Sequence, residues 1–387
     1  MEKKKIGVFG TWRGLAYIKA FAMIDEAEVV AICDKDPEKI EEAKKFCPAD
    51  VKVVETFDEL LDSGIDAVCL CNYFHEHAPY AVKAMKRGIH VFSECTPAAT
   101  LKQCVELVEA AEESGCIYAL AENYPYSQAC MEIARVYQSG VLGQVIFAEG
   151  EYVHPMGPKE HDHYAPYPEH WRNHNPKTYY CTHAMAPLMA ATGLMPKRII
   201  GKVAAKPNGE GKADGAGIMM VEMDNGSVFR VSGSCNFGPH GNWYRLGCEK
   251  GGIESLRGTN DKVRVMINEW DQNEQNSMFG TESVYEPVKS ELGKKALSTG
   301  HSGGDFWVCW HFVQALLGNE KPFMNVYRAV ALSSIGILGW RSVLQDSKQL
   351  NIPDYSNKQD RDLVRDDDLN PFFTEGKAAT LDCALYK

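Results

Sequence analysis

The stretch Ile6-Gly7-Val8-Phe9-Gly10-Thr11-Trp12-Arg13-Gly14 decides the fold, because an apolar strand there breaks at a turn that opens a helix. A second apolar strand, Val29-Val30-Ala31-Ile32-Cys33, then ends on Asp34. A glycine turn lets backbone approach a pyrophosphate, the helix start offers unpaired N–H groups and a positive dipole end, and an acid at the tip of the second strand holds a ribose diol. A carboxylate at that tip repels a 2′-phosphate, so the expected cofactor is NAD rather than NADP. The usual G-x-G-x-x-G is shortened here, with Trp12 where the middle glycine normally stands. Gly10, Thr11, Trp12, Arg13, Gly14 and Asp34 are the first candidates for cofactor binding.

At 387 residues, 45% of them hydrophobic, the chain suits two domains, expected at 1–123 and 124–387. The net charge is −11 and the only basic block is Lys3-Lys4-Lys5, which argues against nucleic acid or an anionic membrane as partner. No apolar run reaches the roughly 18 residues needed to span a bilayer, and Ile6–Phe9 is too short for a signal peptide. A cytoplasmic protein is expected. The thirteen cysteines are scattered without a Cys-x-x-Cys pair, as fits reduced thiols packed as small hydrophobes; Cys33, Cys69 and Cys71 fall in apparent buried strands.

Strand and helix patterns continue to alternate as far as Leu120. Strands are expected at Val51–Val54, Ala67–Cys71, His90–Phe92 and Ile117–Leu120, and helices at Thr56–Ser63, Ala78–Arg87 and Leu101–Ser114. Near-continuous apolar strands alternating with helices predict a parallel sheet covered on both faces, with ligands at the carboxyl ends of its strands. Asn72, His75, Glu94, Thr96, Glu122 and Asn123 fall at those ends. Beyond Tyr124 a linking helix, Ser127–Ser139, leads to longer alternating runs such as Val145–His154 and Ala216–Met223. Asn225-Gly226 before Ser227–Ser232 signals a hairpin, so an antiparallel sheet is expected. Asp360–Asp368 reads as a solvated acidic segment.

On these features the chain resembles the Gfo/Idh/MocA oxidoreductase family over nearly its whole length. The motifs are the N-terminal strand–turn–helix, Asn72-x-x-His75, His90-Val91-Phe92-Ser93-Glu94, the linking helix ending Gly140-Val141-Leu142-Gly143, Thr182-His183 and His301-Ser302-Gly303-Gly304-Asp305. The resemblance implies an N-terminal Rossmann dinucleotide-binding domain followed by an α/β domain with an open, mainly antiparallel sheet. It also implies tightly bound NAD(H) or NADP(H), a sugar, cyclitol or glycoside substrate, and a homodimer or homotetramer.

One departure bears on mechanism. Where the family carries Glu-Lys-Pro, with a lysine that polarises the reacting hydroxyl, this chain reads Glu94-Cys95-Thr96-Pro97. Thr96 can donate a hydrogen bond but is too weak a base. Histidines are the alternative supply: His154, His161, His163, His170, His174 and His183 crowd one segment that also carries Trp171-Arg172 and Tyr179-Tyr180. Imidazole titrates near neutrality and suits a general base that takes a hydroxyl proton as hydride departs.

His183 matches the family's histidine and is the expected base. Tyr179 would share its face on a continuous helix, which Pro187 threatens to break. His301 is a second catalytic candidate, and Asp305 reads as the N-cap of a helix over Phe306–Leu317 as well as a substrate contact. His154 shares a strand face with Tyr152 and is a candidate substrate contact. Trp171 and Arg172 are candidates for gripping both cofactor and sugar. No histidine spacing supports a preformed metal site, and none is expected.

Three functions follow. The leading expectation is NAD(H)-dependent oxidation of a secondary hydroxyl on a sugar, glycoside or cyclitol. The second is a redox-neutral glycosidase of the NAD-dependent kind found in this family, working by oxidation, elimination, hydration and reduction. The third, a non-catalytic NAD-binding regulator, is favoured by the missing lysine and opposed by the retained His183.

Overall fold

The computed structural model describes residues 3–207, 212–234, 237–259, 261–269, 280–374 and 378–385. The chain forms two compact units, and neither is one continuous stretch. The first comprises Met1–Asn123, Gly293–Ser333 and Asp354–Leu369; the second comprises Tyr124–Leu292, Ser334–Pro353 and Asn370–Lys387.

In the first unit, strands β1 (Lys4–Phe9), β2 (Ala27–Cys33), β3 (Lys52–Val54), β4 (Ala67–Leu70), β5 (His90–Ser93) and β6 (Tyr118–Leu120) alternate with helices α1 (Thr11–Phe21), α2 (Pro37–Lys44), α3 (Phe57–Leu61), α4 (His77–Met85) and α5 (Leu101–Ser114). The strands pair in the order β3-β2-β1-β4-β5-β6, all parallel, as the expected Rossmann sheet. Ile6, Val8, Val68, Cys69 and Leu70 are fully buried, because helices cover both faces and leave no polar side to the strands.

Local signals set the helix ends. Thr56 and Glu59 form a reciprocal capping box on α3, and α5 starts on the Thr100 side chain and ends at Gly115 with φ 68°. Strand order reverses between β1 and β4, and this crevice is where such sheets bind ligands.

The second unit opens with α6 (Gln128–Gln138), capped by the Ser127 side chain, and β7 (Val145–Val153). Helices α7 (Pro158–Tyr164) and α8 (Thr182–Thr192) precede β8 (Pro196–Pro207), β9 (Asp214–Met223), β10 (Val228–Ser234), β11 (Gly241–Cys248), β12 (Gly251–Ser255), β13 (Val263–Asn268) and β14 (Gly280–Tyr285). These strands and β15 (Leu350–Asn351) form a nine-stranded sheet, β14-β13-β12-β11-β7-β10-β9-β8-β15, in which only β7 and β10 run parallel. The mainly antiparallel sheet is therefore present, and its β9–β10 hairpin turns at Asn225-Gly226, where Gly226 has φ 85°.

The remaining helices are α9 (Glu291–Ala296), α10 (Gly304–Leu316), α11 (Val326–Leu344) and α12 (Lys358–Val364). The acidic segment expected to be solvated is partly α12, held onto α5 of the first unit by Arg361–Glu112 and Arg365–Glu109 ion pairs. No helix among the described residues is long and apolar enough to cross a membrane.

Candidate active site

In the first unit the turn after β1 meets the end of β4. Gly10 has φ 93°, and a Cβ there would stand 2.5 Å from the Cys71 carbonyl oxygen; at Gly14 it would stand 2.7 Å from Val8. Both glycines are required by close approach: one passes backbone by backbone, the other seats α1 on β1. Trp12 is 53% exposed at the turn.

Asp34 ends β2 and reaches back to this turn. Its Oδ2 accepts from the Thr11 backbone N–H and from Thr11 Oγ1 at 2.9 Å, and its Oδ1 accepts from Asp36 N–H at 3.0 Å. A carboxylate oxygen has two lone pairs, so Oδ1 retains one acceptor direction for a further hydroxyl.

Beside the crevice both side-chain polar atoms of Asn72 are buried and make no hydrogen bond, and the same holds for Oδ1 of Asn123. Orphaned amide atoms in a glycine-lined crevice fit a polar ligand that satisfies them. These residues therefore fit a dinucleotide. His75 is buried, with its ring stacked on Tyr73 at 6.5 Å. His77, which sequence reasoning did not single out, joins the ends of β4 and β5: its Nδ1 lies 2.8 Å from the Thr96 carbonyl and its Nε2 3.3 Å from the Asn72 carbonyl. Thr96, at the position of the missing lysine, is buried with its hydroxyl 3.1 Å from Ser333 Oγ. Its side chain is held within the first unit's packing.

Arg13, a cofactor-binding candidate, is held by side chains of the protein. Its Nε donates to Glu94 Oε1, and its Nη2 donates to the Tyr17 hydroxyl at 2.9 Å and to Asp305 Oδ1 at 3.1 Å. Tyr17 donates to Glu94 Oε1 at 2.7 Å, and Cys95 N–H donates to Glu94 Oε2 at 2.8 Å. Burial alone would raise the Glu94 pKa, but Arg13, Tyr17 and the Cys95 N–H together hold it below the ordinary glutamate range. Tyr17 is one helical turn after Arg13, a spacing visible in the sequence but without meaning until Glu94 stands beside it.

Asp305 is not the N-cap that was expected. Helix α10 begins at Gly304 on a Gly303 cap, and Asp305 lies inside the first turn. Its Oδ1 accepts from Asn123 Nδ2 at 2.7 Å as well as from Arg13, and its Oδ2 lies 3.0 Å from His301 Nδ1.

The second unit holds the aromatic and histidine cluster. Rings of Tyr124 and Tyr152 each stand 4.6 Å from that of His183, and Tyr180 stands 5.2 Å away. His154 continues the row, 6.2 Å from Tyr152 and 5.1 Å from His240. Burial, then the neighbouring His240, lowers the His154 pKa.

His183 sits in the first turn of α8, and the helix continues through Pro187. Proline cannot supply the N–H that would bond the carbonyl four residues back, which is that of His183. The Tyr244 hydroxyl donates to that carbonyl at 2.7 Å. Tyr244 pairs across strands with Gly150, where a Cβ would collide with Ala184 O at 2.0 Å, so a bare backbone lets α8 lie close on the sheet.

The expectation that Tyr179 shares a helical face with His183 is corrected. Tyr179 precedes the helix and is 2% exposed, packed edge-on to Phe372 at 5.3 Å. Its neighbour Tyr180 carries the ring near His183. Trp171 and Arg172 lie in a short 3-10 turn, with the guanidinium 4.4 Å above the Trp171 ring and 5.7 Å from that of Tyr164. Tyr124 and Tyr244 were not singled out, and Tyr152 only as a neighbour of His154 on its strand face, because their aromatic or alternating patterns read equally well as core.

Residues 4–122 match the model of an oxidoreductase family with an NAD-binding Rossmann fold, and residues 246–360 match the glycosyl hydrolase 109 C-terminal domain. A glycosyl hydrolase family 109 protein of Shewanella pealeana is 24% identical over 92% of this chain and 86% of its own length. An α-N-acetylgalactosaminidase of Shewanella oneidensis is also 24% identical, with the same coverage. Among solved structures, a levoglucosan dehydrogenase in complex with NADH and L-sorbose shares the fold at TM-score 0.75 and 16% identity, covering 91% of this chain and 100% of that one.

Proposed function

The chain belongs to the Gfo/Idh/MocA oxidoreductase family, and from that premise we propose that it is an NAD-dependent glycosidase whose catalytic cycle is redox-neutral. The observation that carries the glycosidase mode over net dehydrogenation is the match of residues 246–360 to the glycosyl hydrolase 109 C-terminal domain. Chemistry supports it. A dehydrogenase needs one proton acceptor, whereas elimination and hydration across a glycosidic bond need proton transfer at several atoms. The second unit offers His183 among three tyrosines.

Bound NAD supplies reversible hydride acceptance at one ring carbon of the sugar. Gly10 and Gly14 would admit its pyrophosphate to the turn, Asp34 Oδ1 would take a ribose hydroxyl, and the orphaned amide of Asn72 and Oδ1 of Asn123 would take further polar groups. His183 accepts the proton of the hydroxyl being oxidised. With a ketone at that carbon, the neighbouring C–H is acidic. Its proton passes to a base, the aglycone leaves with its bonding pair and a proton, water adds its hydroxyl at the vacated carbon and a proton at the neighbouring one, and the hydride and the proton held by His183 return to the ketone. Tyr124, Tyr152 and Tyr180 are the candidate carriers of these protons. Trp171 is buried beneath the Arg172 guanidinium and supports it, and Arg172 and His154 bind the sugar's hydroxyls. The absent family lysine is consistent with proton transfer assigned to these groups.

Cofactor accounting tests the proposal. An aryl glycoside should release its aglycone with no accumulation of NADH, and in D₂O the sugar should gain deuterium on the carbon next to the oxidised one. NADH that rises in step with oxidised sugar would establish net dehydrogenation instead.

A further inference from the structure

We infer that Asp305 is a positioning residue that holds His301 as its Nδ1–H tautomer, and that Arg13 anchors this carboxylate to the dinucleotide turn. For the activity readout alone, the inference rests on the reading of this protein as an NAD-dependent carbohydrate enzyme.

The loop before α10 is built to hold one arrangement. His301, Ser302 and Gly303 have φ of 53°, 54° and 90°, three consecutive left-handed residues of which two are not glycine. Such residues are uncommon, cost free energy and concentrate at functional sites. Gly300 completes the arrangement: a Cβ there would stand 2.3 Å from Asp305 Oδ2, so only glycine leaves room for the carboxylate. Asp305 is 1% exposed, yet three donors converge on it: Asn123 Nδ2 at 2.7 Å and Arg13 Nη2 at 3.1 Å on Oδ1, and His301 Nδ1 at 3.0 Å on Oδ2.

An ionised carboxylate only accepts hydrogen bonds, so Nδ1 of His301 must carry the proton, and in the neutral ring Nε2 is then the basic nitrogen. Asp305 remains ionised although buried: desolvation pushes its pKa up, but His301, Arg13 and Asn123 outweigh it and hold the group well below the usual carboxylate range. Its place in the first turn of α10 adds the positive end of the helix dipole. The anchoring arm is Arg13, which lies between Gly10 and Gly14 and also binds Glu94. A side chain of the dinucleotide turn is thereby tied to a histidine 288 residues later by a single carboxylate.

Asp305→Asn keeps the shape and inverts the tautomer. Asn123 and Arg13 both present donors, so the new amide must turn its oxygen toward them and its NH₂ toward His301 Nδ1, which can then only accept. In ¹⁵N-histidine NMR spectra of the full chain, His301 Nδ1 should change from a protonated to an unprotonated signal. Turnover should fall at least about a hundredfold, as expected when a positioned acid–base group is in the wrong tautomer. Gly300→Ala removes no functional side chain but should displace the carboxylate, broadening or shifting the same signal and lowering kcat at least about tenfold with KM changed less. Arg13→Lys keeps the charge but loses the fork, and should also shift the His301 signal.

A protonated Nδ1 that persists in Asp305→Asn overturns the positioning role. A flipped tautomer with turnover within twofold of wild type overturns its relevance to catalysis, and an unchanged His301 signal in Arg13→Lys overturns the anchor. Because the tautomer is read without substrate, its inversion in a protein that turns over no glycoside would refute the proposed function and leave this inference standing.

Discussion

Tyr244→Phe is expected to weaken the second unit by about 2 kcal/mol. The phenol donates to the His183 carbonyl at 2.7 Å, and Tyr244 is 2% exposed. Its removal leaves a shielded carbonyl without its donor, a penalty of about 1–3 kcal/mol. The lost donor matters because Pro187 cannot replace it. Pro187→Ala restores an N–H one helical turn beyond His183, so in that background Tyr244→Phe should cost only a few tenths of a kcal/mol. The coupling in the double-mutant cycle is then about 1–2 kcal/mol. Equilibrium urea unfolding reads it directly as a shift in midpoint at constant slope. In Tyr244→Phe the first turn of α8 should also relax, displacing the His183 ring and lowering kcat roughly tenfold. A full-sized loss in the Pro187→Ala background, or none in the wild type, would refute the claim that Tyr244 substitutes for the missing amide.

His183→Ala should lower turnover at least about a hundredfold with NAD affinity little changed, measured by steady-state kinetics alongside cofactor titration; near-normal activity would shift the base to His154 or His301. Asp34→Ser should narrow the preference for NAD over NADP, read by calorimetry with both cofactors, and an unchanged ratio would remove Asp34 from the ribose site. His161 is buried, and burial, then Lys212 and Lys177, press its pKa down to about 4. Between about pH 4 and 6.5 the unfolded chain therefore binds more protons at this site, so its contribution to stability is present above about pH 6.5 and is lost as pH falls toward 4. His161→Asn should flatten denaturation midpoints across that window, and an equally steep profile would show that His161 is not responsible.

Much of the fold was legible because it rests on local signals. Helix α5 runs over Leu101–Ser114 as its pattern predicts, Asn225-Gly226 makes its hairpin, and the turn after β1 opens a helix as expected. Those signals act within a few residues of the chain. The site was less legible because its decisive contacts span long intervals. Arg13 reads as a cofactor contact until Glu94 and Asp305 are brought to it, and Asp305 reads as a helix cap and substrate contact until Asn123 and His301 take one oxygen each. Pro187 looked like an obstacle to a helix at His183. Nothing near it in sequence indicates the tyrosine on β11 that makes it tolerable.

The interleaving of the two units has a consequence for the protein's birth. Strand β6 bonds to the segment before α11, through Leu120 N–H to Met324 O at 2.9 Å and a bridge between Ala119 and Asn325, and α5 holds α12 by two arginine–glutamate pairs. When Asn123 leaves the ribosome, the nascent Rossmann sheet lacks the later segments that cover its β6 edge and α5. Translation at about 5–20 residues per second makes the wait for Leu369 roughly 12–50 s. Until Met324 and Asn325 emerge, an apolar sheet edge is without its final partner, a hazard for edge-to-edge aggregation. Arrest of synthesis at successive lengths, with limited proteolysis of the stalled chains, should show the first unit becoming resistant only once residues through Leu369 have emerged.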